Sequence, residues 1–346
     1  MSRMKIKAFI AAVALVWAIP LAAEEAAKPA AVVAAVPEQC GGKDMLAEMQ
    51  TAEPDLYRRI VDQAAKLENT EALLWKVEKS GADPSYLFGT IHIPDKRVAI
   101  LSEKVQTAFD AAKTVALEVA NTSDAALGEA MAKVPGLLAY SDGSTLKGQL
   151  TEAEFKKVQG LVAKSGLPGD AAVMLKPWLI SVLLSITDCQ RSQMSAGQDA
   201  LDKRLEKEAA KRGATVVGLE TVESQLTAMA SVPNDQQIQM LKSGLAYADR
   251  SDDMIETLVQ MYLKRQIGAS LPFEQALGEK SGVPASAYDG FIKMLLVDRN
   301  ARMRDAAKPL FDKGQAFVAI GALHLPGKTG MVALLREAGF TVTAVE

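Results

Sequence analysis

A chain of 346 residues with 49% hydrophobic and 23% charged residues can bury one large core or two smaller ones, which excludes a disordered or fibrous protein. Its formal charge of −3 at pH 7 gives no excess of basic side chains, which excludes nucleic acid as a partner.

The first residues read as an export signal. Arg3, Lys5 and Lys7 form a basic start, residues 8–19 an apolar run, and Pro20-Leu21-Ala22-Ala23 a small-residue exit, so cleavage is expected after Ala23. The apolar run is shorter than the ~20 residues that cross a bilayer. Loss of the three basic residues leaves 36 Lys and Arg against 42 Asp and Glu, a net charge of −6. Residues 24–42, rich in Ala, Val, Glu, Lys and Pro, read as a linker ending at Cys40-Gly41-Gly42. The expectation is a periplasmic protein with no membrane span in the mature chain. In an oxidising compartment Cys40 and Cys189 could pair or stay apart.

From residue 43 one domain is expected to run to residue 346. Residues 43–69 read as helical, with Met45, Met49, Leu56, Ile60 and Leu67 as the apolar positions. Residues 73–77 and 86–88 read as strands about a turn at 80–84, and His92 follows directly. Ser102 caps a helix to about residue 112, and residues 114–118 form the next strand. A helix over 199–211, stopped by Gly213, leads to a strand over 214–217 that ends in Gly218-Leu219-Glu220. At the C-terminal end come a strand over 316–320, His324, a helix over 331–338 stopped by Gly339, and a strand over 340–345.

These helix-to-strand units predict an α/β fold with a mixed, largely parallel sheet. Residues 124–198 and 221–304 read as mainly helical insertions. The apolar run 178–186 is too short to span a membrane and reads as a buried helix, and Met229, Met240, Met254, Met261 and Met294 read as core positions of packed helices.

The two histidines share one frame: Phe88-Gly89-Thr90-Ile91-His92-Ile93-Pro94 and Ile320-Gly321-Ala322-Leu323-His324-Leu325-Pro326. A residue used only twice, each time three positions after a glycine, predicts two halves of one site. Each His, and also Glu118 and Glu220, falls at or just beyond a predicted strand end, where parallel sheets gather ligands. A carboxylate at the end of the apolar run 115–117 would be costly unless paired or metal-bound. Glu220 could instead serve the N-terminus of the next helix. No His-Glu-x-x-His, Gly-x-Ser-x-Gly, Walker loop or Gly-x-Gly-x-x-Gly is present.

The paired Gly-x-x-His motifs, Leu117-Glu118, Gly218-Leu219-Glu220-Thr221 and Asp298-Arg299-Asn300 resemble the TraB/GumN family, which includes the Tiki proteins, over roughly residues 73–346. The resemblance implies an erythromycin esterase-like or ChaN-like fold and metal-dependent hydrolysis. It matches His92 and His324 to the motif histidines, Glu118 and Glu220 to the family's acidic positions, and Arg299 and Asn300 to its Arg-Asn segment.

The expectation is therefore a metallohydrolase acting on peptide or amide bonds of a peptide or protein substrate. Some of His92, Glu118, Glu220 and His324 would hold a divalent ion (Mn, Co, Zn or Fe), with one glutamate free to act as base. Arg299 could stabilise a developing oxyanion or serve as a helix-surface charge. The other reading is an extracytoplasmic protein that binds a peptide or a haem-like ligand in the same pocket without turnover.

Overall fold

The computed structural model describes residues 40–346; the predicted leader and residues 24–39 of the predicted linker lie outside the described residues. Six strands form one sheet: β1 (Leu74–Glu78), β2 (Ser85–Thr90), β3 (Thr114–Val119), β4 (Thr215–Glu220), β5 (Ala316–Gly321) and β6 (Thr341–Ala344). Their spatial order is β4-β3-β5-β2-β1-β6. The pairs β4–β3, β3–β5 and β5–β2 are parallel, whereas β1 is antiparallel to both β2 and β6. Only β1 runs against the rest, so the expected α/β fold with a mixed, mostly parallel sheet is what forms.

The pattern of burial follows strand position. Every residue of central β5 is buried, as a parallel strand covered on both faces requires, while the edge strands β4 and β6 carry exposed residues. Phe317 of β5 lies 5.7 Å from the Phe88 ring and 5.4 Å from the Phe109 ring, centroid to centroid, and its full burial is worth about 1.5–3 kcal/mol. Phe109 comes from the Glu103–Ala111 helix, whose predicted cap holds: Ser102 Oγ accepts the Val105 N–H.

Both insertions are mainly helical, and they share a second core. Leu146, Phe155, Val158, Leu175 and Ile180 of the first pack in one cluster with Leu226, Leu241 and Leu245 of the second. Of the methionines expected to pack, Met261 is fully buried, Met229, Met240 and Met254 are half-buried against apolar clusters, and Met294 is half-buried outside them.

The helical stretch expected over 43–69 forms as two helices, Met45–Ala52 and Pro54–Ala64. Pro54 disfavours a helical conformation at the preceding residue, and Glu53 takes φ −139° and ψ 61°. Cys40 and Cys189 are joined by a disulfide, a pairing that the sequence had left open and that is compatible with a secreted protein. Among the described residues no helix is long and apolar enough to cross a membrane.

Candidate functional site

The strand order decides where the two motifs meet. Because β5 lies between β3 and β2, the end of β5 at Gly321 is flanked by Glu118 on one side and by the turn leading to His92 on the other. Glu118 is buried, and its Oε1 accepts the Gly321 N–H at 2.6 Å. The same oxygen lies 3.7 Å from His92 Nε2 and 3.6 Å from His324 Nε2. These separations are too long for hydrogen bonds and leave a gap between the three atoms.

The glycines of the two frames have different uses. A Cβ at Gly321 would stand 3.0 Å from Glu118 Oε1 and 3.2 Å from His92 Nε2, so the bare backbone keeps that gap open. A Cβ at Gly89 would stand 2.6 Å from Leu325 Cδ1 and 3.1 Å from Ala322 Cα. Its absence lets the first motif pack on the second.

Arg299, in the Asp298–Lys313 helix, closes the buried side. Its Nη2 donates to Glu118 Oε2 at 2.6 Å, its Nε to Glu220 Oε2 at 2.8 Å, and its Nη1 to His324 Nε2 at 3.3 Å. Glu220 also receives Arg302 at 3.4 Å, and Gln225 donates to Glu118 Oε2 at 3.1 Å. Arg299 is thus buried and is no surface charge, and its Nη1 reaches one of the three atoms that border the gap. It clamps two carboxylates that burial would otherwise penalise.

These partners set the charges. Burial alone would raise the Glu118 carboxyl, but His324, His92 and Arg299 overcome it and hold the group well below the usual carboxylate range. The permanent cation among them is Arg299, itself raised by Glu118 and Glu220 against the opposing effect of burial. His324 is pushed down to about 4, first by burial and then by Arg299 and His92, with Glu118 opposing. Its Nδ1 donates to Asn300 Oδ1 at 2.6 Å, and Asn300 Nδ2 donates to the Thr329 carbonyl at 2.8 Å, so the neutral ring turns a bare Nε2 toward Arg299 and Glu118.

His92 is the opposite case. Its side chain is 50% exposed, and its Nδ1 lies 2.7 Å from Asp202 Oδ2. The Asp202 charge raises its pKa well above the ordinary value despite some burial, although water beside the ring screens the effect.

A family model described as the TraB/PrgY/gumN family matches residues 73–344. The chain belongs to this family. Among its relatives, an uncharacterised protein named YbaP from Escherichia coli (strain K12) is 23% identical over 72% of this chain and 87% of its own length. Two animal relatives are named metalloproteases. TIKI2 of Danio rerio is 22% identical over 82% of this chain and 63% of its own, and the TIKI homologue of Nematostella vectensis is 23% identical over 82% and 69%. No solved structure matches.

As a TraB/PrgY/gumN member with relatives so named, the chain raises the question of a metal. Among the described residues no group of three or more His, Cys, Asp and Glu is arranged to hold one, so the expected set of His92, Glu118, Glu220 and His324 is not assembled as four ligands. The reason is visible in Glu220, whose oxygens are spent on Arg299 and Arg302. What fits an ion in donor type is the gap in front of Gly321. His92 Nε2 would hold the ion there, and His324 Nε2 would join it on giving up its long 3.3 Å contact with Arg299 Nη1; both far ring nitrogens are tied to acceptors, and Glu118 Oε1 faces the same space.

Three contributors escape the sequence reading: Asp202, Gln225 and the Gly321 N–H. Asp202 lies in the first turn of the Leu201–Lys211 helix, a position that points back to the carboxyl edge of the sheet. That placement is the one signal that could have found it.

Proposed function

We propose that this protein is a periplasmic metallohydrolase that cleaves peptide or amide bonds at the gap between His92, His324 and Glu118. The observation that carries the reading is one buried carboxylate oxygen facing two imidazole nitrogens at 3.7 and 3.6 Å, beside a glycine that keeps the space open. The metalloprotease names of the TIKI relatives support it.

A divalent ion bound at the two Nε2 atoms would acidify a water molecule and polarise the scissile carbonyl. Glu118, kept ionised by Arg299, takes the proton of the attacking water at Oε1 and delivers it to the departing amine as the C–N bond breaks. Its other oxygen is fully engaged by Arg299 and Gln225, which fixes the carboxylate plane. Exposed His92 marks the side from which a substrate enters, while His324 and Asn300 form the dry wall opposite. Arg299 and Glu220 hold this arrangement from behind.

The test is the metal content of the mature protein, measured beside His92→Ala and His324→Ala variants, followed by incubation with a peptide library in Mn, Co, Zn or Fe. Bound metal and cleavage should both disappear in each variant. Unchanged metal content in either variant would sink the shared site, and metal without cleavage would leave a binding protein.

A further inference from the structure

The first motif is held in place by a residue that belongs to neither motif. Asp202 accepts from both ends of the turn after β2: Thr90 Oγ1 donates to its Oδ1, and His92 Nδ1 lies 2.7 Å from its Oδ2. Thr90 is buried, and its neighbour Gly89 is fixed through its carbonyl, which accepts the Tyr262 hydroxyl at 2.8 Å. The Asp202 side chain is only 21% exposed. It sits in the first turn of an 11-residue helix, where a carboxylate is stabilised by the helix dipole.

We infer that Asp202 is a positioning residue, which fixes the His92 ring with its proton on Nδ1 and its Nε2 lone pair in the gap before Gly321. An imidazole free in water can carry its single proton on either nitrogen and turn about its side-chain bonds. Once the ring has lost its second proton, a carboxylate on Nδ1 leaves it one useful state: Nδ1–H bound to Asp202, Nε2 bare and 3.7 Å from Glu118 Oε1. His324 reaches the same state through the neutral amide of Asn300. The two imidazoles therefore face one space with matched tautomers but unlike supports, an anion behind His92 and an amide behind His324. Thr90 completes the device, since its hydrogen bond fixes which Asp202 oxygen is left for the ring.

The inference rests on the metallohydrolase reading for its purpose, and its test separates the two. Two quantities are measured in wild type, Asp202→Ala, Asp202→Asn and Thr90→Val. The first is affinity for Mn, Co, Zn or Fe by chelator competition. The second is the His92 tautomer, by nitrogen NMR above the ring's titration. A chain with two histidines gives two imidazole systems, and His324→Ala identifies which is which.

The expected result is a 10- to 100-fold loss of affinity in Asp202→Ala, on the order seen when the partner of a ligating histidine is removed. In the same variant the His92 signal should change from Nδ1–H to a mixture. Asp202→Asn, whose carbonyl can still accept, should restore the tautomer and most of the affinity. If Ala at 202 fails to fold, Thr90→Val should move both readouts in the same direction by a smaller factor. Affinity within twofold of wild type and an unchanged tautomer in Asp202→Ala would overturn the inference. If wild type takes up no ion, the metal reading fails, and the tautomer still decides: Nδ1–H lost in Asp202→Ala upholds the positioning role, and the same tautomer in both refutes it.

Discussion

The two Gly-x-x-His frames are nearly the same in sequence and opposite in physics. His92 stands half in water against the carboxylate of Asp202, and His324 is buried between an amide and a guanidinium. One ring is driven toward the charged form, the other toward the neutral form. The glycines divide in the same way, Gly89 serving contact between the motifs and Gly321 serving the gap. A repeated motif fixes where a side chain is placed on the sheet. Its neighbours, drawn from elsewhere in the chain, decide what that side chain does.

The harshest way to break the contrast is to remove the group that enforces it. Arg299→Ala leaves Glu118 and Glu220 buried without their shared cation, and a loss of about 3–5 kcal/mol is expected in urea unfolding. Next comes pH in the metal-free protein, because the two rings should limit stability from opposite sides. His324, at about 4 in the fold against 6.5 when unfolded, contributes fully above pH 6.5 and loses its contribution as pH falls toward 4, by about 3 kcal/mol. Glu118 adds a second loss at lower pH, below its ordinary range. His92 is raised, so its contribution is complete below pH 6.5 and fades as pH climbs through its folded value. In melting curves against pH, His324→Gln should flatten the acid limb and His92→Gln the alkaline one; the same limb affected by both would erase the distinction.

Gly89→Ala should cost about 1–3 kcal/mol by overpacking Leu325 and Ala322. Gly321→Ala is expected to cost less in thermal melting yet to abolish ion uptake, because its methyl would occupy the gap. The smallest expected effect is Thr90→Val, about 1 kcal/mol in unfolding for one lost hydrogen bond.

Much of the fold is legible in the sequence because its signals are local. Apolar runs ending in His92, Glu118, Glu220 and His324 mark strands whose carboxyl ends share one edge, and Ser102, Gly213 and Gly339 mark helix ends. Pro54 marks the break between the first two helices, while the apolar spacing of Met45, Met49, Leu56 and Ile60 runs across it. The inner arrangement of the site was less accessible. Whether Glu220 meets an ion or an arginine depends on how the Asp298–Lys313 helix packs against β4, which no spacing records. Asp202 is one of three acidic residues in its helix, set apart in the sequence only by its place in the first turn, and tertiary contact is what reveals its partner.

The disulfide divides the centre topologically. Cys40 and Cys189, 149 positions apart, close a covalent ring that contains His92 and Glu118, whereas Asp202, Glu220, Arg299 and His324 lie on the tail that leaves it. The proposed centre is therefore stitched across the border between a loop and a free end. A single protease nick within residues 41–188 would open the loop without releasing either piece. On a gel such a chain would run as one species until reduced, and its two halves would keep the high effective concentration of a tethered pair.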